Sequence, residues 1–191
     1  MLQALVLTFA LIHCGGSVDF NIVSFYDTPS SDDFDRFLTD NELKSAYSGF
    51  SRSIRASMTT DHLDPSHFLR QGTDWRKLEM PAFAMPPREK WRNIRPVIRL
   101  IENEIIPAIG PVEILSGYRS AEYNSRADGA PGSRHLKFQA LDLVPANLIA
   151  RKQLHAILLD LWKREGRRYG LGLGLYSGHR FHLDTAGYRR W

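Results

Sequence analysis

Residues 171–184 read LGLGLYSGHRFHLD, a pattern typical of a β-hairpin. Apolar residues predict two short strands, near 171–176 and 180–184, and the Ser-Gly pair between them predicts a tight turn. In the second strand, alternation places His182 and Asp184 on one face and the intervening apolar residues on the other. The hairpin therefore presents an imidazole and a carboxylate together on one face of a sheet.

Two upstream segments extend this predicted sheet. Residues 112–115 form a short segment of three apolar residues and Glu113, and residues 138–144 are largely apolar, as expected of a buried strand. Between them, Ser120 is suited to cap a short helix, and residues 128–133 form a loop that contains Gly and Pro.

Helical periodicity appears on both sides of these strands. Spacings of three and four predict one apolar helix face before the first strand, formed by Trp91, Ile94, Ile98, Ile101 and Ile105. Pro96 must kink or restart this helix, and Gly110 ends it. A longer helix is predicted to begin at an Asn147 cap and to end at Gly166, with Leu148, Leu154, Leu158 and Leu161 facing inward. The predicted class is α+β, a small and mostly antiparallel sheet with packed helices.

Charge is distributed unevenly over the 191 residues. Residues 1–75 carry 5 Lys/Arg and 10 Asp/Glu, whereas residues 76–191 carry 20 and 11. We therefore divide the sequence into an acidic N-terminal extension of unknown role, 18–79, and a C-terminal domain, 80–191. A basic domain attracts anionic polymers, but no nucleic-acid-binding motif accompanies the charge. This favours a solvated basic face, and we expect no nucleic-acid partner.

The sequence opens with a mostly apolar run at residues 2–12. The run is too short to span a bilayer as a helix and has the length of a signal-peptide core. We predict a signal peptide at residues 1–17 and no transmembrane span after its removal. A buried N-terminal strand or helix is the alternative, since no Lys or Arg precedes the run. Cys14 is the single cysteine, so the mature chain would have no disulfide, and lipidation of Cys14 is left open.

Three residues with metal-binding side chains lie on or beside the predicted strands. His135 follows the Gly/Pro loop, Asp142 lies in the strand at 138–144, and His182 lies in the last strand. If the two strands are neighbours, these side chains can converge. Two neutral imidazoles and one carboxylate make a common catalytic zinc site with a fourth position for water. Spacing alone leaves an ordinary polar cluster open, because His and Asp residues often meet such a pattern.

Short motifs along residues 80–191 resemble the zinc D-alanyl-D-alanine carboxypeptidase family. They are SGYRS at 116–120, YN at 123–124, GA at 129–130, SRH at 133–135, ALD at 140–142, GLGLY at 172–176, FHLDT at 181–185 and RW at 190–191. Enzymes of this family trim or cut the peptide stems of peptidoglycan, and they share their fold with the hedgehog signalling domain. The resemblance implies a periplasmic or secreted bacterial protein that acts on peptidoglycan stem peptides.

The same resemblance implies roles for individual residues. His135, Asp142 and His182 would hold one Zn²⁺ ion. Arg119 would hold a substrate carboxylate or stabilise the oxyanion, since its planar fork is always charged. Ser133 and Tyr176 would lie at the substrate site, and Ser133 is equally suited to support or cap its loop.

Two positions depart from the family pattern. A glycine is common three residues after the first histidine, where this chain has Phe138. A Glu or Asp general base is common three residues before the last histidine, where this chain has His179. His179 and Asp184 are alternative catalytic bases: an imidazole accepts protons near neutral pH, whereas Asp184 could equally orient His182.

These features predict a monomeric metallopeptidase in which metal-activated water hydrolyses a peptide bond next to a D-amino acid. The Ser-x-x-Lys motif of serine-type enzymes and the His-Glu-x-x-His motif of zincins do not occur in the chain. The alternative is a non-catalytic, zinc-containing cell-wall-binding module, which the missing carboxylate base would explain. Carboxypeptidase or endopeptidase activity, and D,D or L,D specificity, are both left open.

Overall fold

A five-stranded sheet in the order β1-β2-β4-β3-β5 lies at the centre of the structure, a computed structural model that describes residues 22–191. The strands are β1 (Val112–Ser116), β2 (Ala140–Pro145), β3 (Gly172–Leu175), β4 (Phe181–Asp184) and β5 (Arg189–Arg190). Neighbouring strands are antiparallel except β3 and β5, which are parallel. The predicted α+β class with a mostly antiparallel sheet is confirmed, as is the β3–β4 hairpin. The predicted signal peptide and Cys14 lie outside the described residues.

Strand β2 is paired on both sides, with β1 and β4, and it positions the site. Every residue of β2 is buried, which explains the nearly continuous apolar run in its sequence. Its neighbour β4 is paired so that Asp142 lies directly opposite His182. The register of one strand pair therefore brings together two of the predicted metal ligands.

The helix predicted before β1 is formed by successive helical turns of different pitch. A 3₁₀ helix leads into α3, a π-helical turn and α4, with bounds Arg88–Ile94, Arg95–Leu100, Ile101–Ile105 and Ile106–Ile109. Pro96 lies in the first turn of α3, where a missing N–H group leaves no helical hydrogen bond unmade. The predicted restart at Pro96 and the end at Gly110, whose φ is 82°, are confirmed.

Helix α5 (Ala121–Arg126) follows β1, and a 3₁₀ turn (Arg134–Lys137) precedes β2. The Ser120 side chain accepts a hydrogen bond from the backbone N–H of Tyr123, so the predicted cap of α5 is confirmed.

Helix α6 (Arg151–Tyr169) starts later than its sequence predicted. Its N-cap is Ala150, so the assignment of Asn147 as the cap is wrong. Leu148 precedes the helix and is 68% exposed, contrary to the predicted inward position. The chain from β2 to α6 is held by a hydrogen bond from Ala146 N to Pro111 O, so these residues form a connection and not a helical turn.

The end of α6 was also predicted too early. The helix continues through Gly166 and ends at Gly170, whose φ of 59° is the left-handed conformation that glycine adopts at low cost. At Gly166 a side chain would collide with the ring of Tyr188. Glycine is therefore needed at position 166 for close packing against Tyr188, and the prediction that it ends the helix is wrong.

The acidic segment packs against the same hydrophobic core as the rest of the chain. It contains 3₁₀ turns at Ile22–Phe25 and Pro65–Leu69 and helices α1 (Ser31–Asp40) and α2 (Lys44–Arg55). Phe50 and Ile54 of α2 are fully buried in one cluster with residues of β1 to β4. The domain boundary at residue 80 stays a prediction. Residues on both sides of this boundary pack in one hydrophobic core. Within residues 22–191, no helix has both the length and the apolar character needed to cross a membrane.

Candidate metal centre

One atom from each of three buried side chains meets at the β2–β4 pair. His135 Nε2 lies 3.2 Å from His182 Nδ1 and 3.3 Å from Asp142 Oδ1, and His182 Nδ1 lies 2.9 Å from Asp142 Oδ1. Ligand atoms around a tetrahedral zinc ion are about 3.4 Å apart. Among residues 22–191, no other trio of His, Cys, Asp or Glu satisfies this geometry. The group fits a single zinc ion.

His135 is oriented by a hydrogen bond to the backbone carbonyl of Gly117. Its Nδ1 lies 2.7 Å from Gly117 O, and because a carbonyl oxygen only accepts, Nδ1–H must donate. The lone pair of Nε2 is then directed at the other two ligand atoms. Gly117 is required here because a side chain at this position would collide with the carbonyl of Phe68.

His182 is oriented by the fully buried carboxylate of Asp184. His182 Nε2 lies 3.1 Å from Asp184 Oδ2, and Asp184 also accepts from both terminal nitrogens of Arg189 and from Ala186 N. Such a carboxylate–histidine pair leaves Nδ1 for a metal. At Gly172, opposite Asp184, a side chain would collide with this carboxylate.

The electrostatics of the three side chains suit a cation. Burial and the charge of Arg119 lower the pKa of His135 to about 4, so this imidazole is neutral at pH 7. Burial raises the pKa of Asp142, but His135, His182 and Arg119 outweigh it and hold that pKa well below its usual range. Burial lowers the pKa of His182, but hydrogen bonds to Asp142 and Asp184 raise it overall. Without a metal, a proton on His182 Nδ1 can bond Asp142 where a cation would bind.

Arg119 binds the candidate ligand Asp142 directly. Its Nη2 donates to Asp142 Oδ2 over 2.7 Å, and its Nε donates to Ser116 Oγ and to Gln71 O, each over 2.9 Å. Gln71 is 1% exposed, and its Oε1 accepts from Ser120 N. Gln71 was not predicted as a site residue, because it lies in the acidic segment, whose sequence pattern indicates no role.

A cavity of about 500 Å³ opens over the three candidate ligands. Its lining includes Arg119, Ser133 and Tyr176, so the structure brings the predicted substrate residues to the predicted ligands. Ser133 is the N-cap residue of the 3₁₀ turn that carries His135, but its side chain makes no capping hydrogen bond. The lining also includes charged and aromatic residues for which the sequence indicated no role, namely Asp74, Asp128, Arg134, Arg180, Arg189 and Trp191.

Residues 104–184 match the sequence model of the Peptidase M15 family. The matched range begins in the π-helical turn before β1 and ends with β4, so it contains all three candidate ligands. It covers less than half of the chain and leaves out the acidic segment. No curated protein and no solved structure matches the chain. The M15 match and the buried His-Asp-His group together support a zinc metallopeptidase in broad terms.

His179 and Asp184, the alternative bases expected from the sequence, do not line the cavity. His179 Nε2 lies 2.9 Å from Ile149 O, so the ring donates to a carbonyl of the β2–α6 connection. Asp184 is fully buried and uses both oxygens on His182, Arg189 and Ala186. These contacts favour the orienting role for Asp184, and both base assignments stay predictions.

Phe138 stands where the motif resemblance predicted glycine, and it adopts a conformation that favours glycine. Its φ of 54° and ψ of 47° are left-handed, which costs a non-glycine residue about 1–2 kcal/mol. The ring is fully buried against Phe50, Phe68 and Tyr118, with centroids 6.0, 6.4 and 6.2 Å away. Aromatic packing therefore offsets the backbone strain, and part of that packing comes from the acidic segment.

Replacing Asp184 by Asn is expected to weaken zinc binding about 10- to 100-fold, because the variant loses the charged acceptor that orients His182. The measurement is competition for zinc with a chromogenic chelator. Asp160→Asn is the control, since Asp160 is exposed and pairs only with Arg164 on α6. Equal affinities for wild type and Asp184→Asn would contradict the orienting role.

Proposed function

We propose that this protein is a zinc metallopeptidase that hydrolyses peptide bonds next to D-amino acids in peptidoglycan stem peptides. The observation that carries the proposal is the convergence of His135 Nε2, Asp142 Oδ1 and His182 Nδ1 beneath the cavity. The M15 match over residues 104–184 supports the same chemistry. The D-amino acid specificity rests on the motif resemblance.

Bound zinc would supply a water molecule with a pKa lowered to roughly 7 and would polarise the substrate carbonyl. The chain's own residues prepare this chemistry. Gly117 O and Asp184 fix the tautomers of His135 and His182, so both lone pairs face the same point. His135, His182 and Arg119 together keep Asp142 ionised, and Arg119 also orients it.

Tyr176 is proposed to hold the substrate oxyanion or carbonyl. Burial and the charge of Asp142 raise the pKa of its hydroxyl, so Tyr176 stays protonated at neutral pH. A protonated phenol in the cavity lining can donate a hydrogen bond to an oxygen that gains negative charge. Arg119 contributes positive charge to the same region through its contact with Asp142.

The direct test is digestion of purified peptidoglycan, with released fragments identified by mass. We expect products from the zinc-loaded protein, loss of products after chelation, and their recovery when zinc is restored. Loss of a terminal D-Ala would identify a carboxypeptidase, and conversion of cross-linked dimers to monomers an endopeptidase. Zinc binding and sedimentation with sacculi without any product would instead establish the non-catalytic wall-binding alternative.

We further propose that the protein works in the periplasm or outside the cell. The support is the location of peptidoglycan itself and the apolar run at residues 2–12, which has the length of a signal-peptide core. The monomeric state also stays a proposal.

A further inference from the structure

Two arginines in the cavity wall have no carboxylate partner among residues 22–191. Arg134 directly precedes His135, and Arg180 lies two residues before His182; both line the cavity. In the part of the chain that the structure describes, neither forms an ion pair, whereas the other lining arginines, Arg119 and Arg189, do. The cavity therefore presents two uncompensated cations beside the candidate ligands.

Arg119, expected from the resemblance to hold a substrate carboxylate, is already engaged. Its Nη2 is committed to Asp142, and its Nε to Gln71 O and Ser116 Oγ. Releasing this guanidinium would leave a buried carboxylate and a buried carbonyl with fewer partners, which is costly. An anionic group of the substrate is therefore more readily bound by an arginine that is free.

Arg180 is held in position for such a contact. Its guanidinium stacks over the ring of Tyr176 at 4.1 Å from the centroid, which reduces the freedom that binding would otherwise remove. Arg180 directly precedes β4, and Arg180 and His182 both line the cavity, about 6.6 Å apart along an extended backbone. Arg180 can thus reach a group bound next to the metal ligands.

The two unpaired acids of the cavity lie on its α5 side. Asp128 follows α5, and Asp74 acts electrostatically on Tyr123 of that helix. Within residues 22–191, neither acid comes within 4.0 Å of a side-chain nitrogen of Arg134 or Arg180. Arg180 also acts electrostatically on Tyr123, but no described acid pairs with Arg180 or Arg134, and both arginines lie within two residues of a ligand histidine.

We propose that Arg180 binds the C-terminal carboxylate of the substrate, so that the protein selects peptides with a free C-terminus. This inference rests on the proposed peptidase function and specifies it as a carboxypeptidase. In a peptide that ends in D-alanine, the terminal carboxylate lies only three bonds from the scissile carbonyl carbon. A group that recognises this carboxylate must therefore lie next to the metal ligands, as Arg180 does. A planar guanidinium can accept the carboxylate in bidentate fashion.

The test compares diacetyl-L-lysyl-D-alanyl-D-alanine with its C-terminal amide, which differs in the carboxylate alone. Binding is measured calorimetrically on metal-free protein, which avoids turnover. We expect wild type to bind the acid about 10- to 100-fold more tightly than the amide. Arg180→Gln should reduce this ratio to about threefold or less, and Arg180→Lys should keep part of it. Arg164→Gln, an exposed substitution on α6, is the control and should keep the full ratio.

Kinetics on the zinc-loaded protein separate this inference from the proposed function. If wild type binds the acid selectively but hydrolyses no peptide, the peptidase proposal fails and the carboxylate site stands. If wild type hydrolyses acid and amide with equal kcat/KM, or if a folded Arg180→Gln protein keeps the full preference, the inference is overturned. Loss of the preference in Arg134→Gln but not in Arg180→Gln would overturn the assignment to Arg180.

Discussion

The His135→Ala variant is expected to retain less than about one tenth of a zinc ion per chain where wild type retains one, because two ligands bind zinc far more weakly than three. Hydrolysis should fall about 1,000-fold or more, since several kcal/mol of transition-state stabilisation depend on the metal. Zinc is measured by atomic emission after dialysis, and hydrolysis by mass spectrometry of digested muropeptides.

The matched control is His62→Ala, which removes an exposed histidine outside the cavity lining. It should leave zinc content and product yield unchanged. Thermal melts of both metal-free variants against metal-free wild type show that the chains are folded. Equal zinc and equal products in His135→Ala and wild type would remove the metal site and the peptidase proposal with it.

Replacing Phe50 by Ala is expected to lower the free energy of unfolding by about 3–5 kcal/mol, the usual cost of deleting a fully buried aromatic ring. Phe50 is 0% exposed and contacts the rings of Trp91 and Phe138, with centroids 5.5 and 6.0 Å away. Because Phe138 ends the 3₁₀ turn that carries His135, in a left-handed conformation three residues after it, zinc affinity should fall as well. Urea denaturation of the metal-free protein gives the first quantity, and chelator competition the second.

Phe25→Ala provides the comparison, because Phe25 lies in the same acidic segment but is 75% exposed. Its effect on unfolding should stay within about 0.5 kcal/mol. If Phe50→Ala lowers the free energy of unfolding by less than about 1 kcal/mol, the acidic segment contributes little to the stability of the core.

Local patterns predicted most of the sheet, whereas the candidate ligands were indicated by the family resemblance and not by spacing alone. The alternation in residues 180–184 placed His182 and Asp184 on one face, and both are buried on one face of β4. The short apolar runs became β1 and β2 because strand burial follows directly from side-chain alternation and apolar character.

Helix ends and small strands were predicted less well, because distant contacts determine them. Glycine at position 166 predicts the end of a helix, yet α6 continues to Tyr169. The glycine is needed because the ring of Tyr188, 22 residues later, leaves no room for a side chain there. The two-residue strand β5 has no pattern of its own and exists through its pairing with β3.

The sequence by itself determined which chemical groups the site would contain: two imidazoles, one carboxylate and an arginine, placed on or beside strands whose alternation is local. Only the tertiary structure decided what each group touches. His182 and Asp142 are 40 residues apart, and Arg119 and Gln71 are 48 apart. Which groups become partners over such separations depends on strand register and core packing, and these are properties of the whole folded chain. For that reason Arg119 is engaged with Asp142 and Gln71, Asp184 orients a histidine, and Arg180 is left free at the cavity wall.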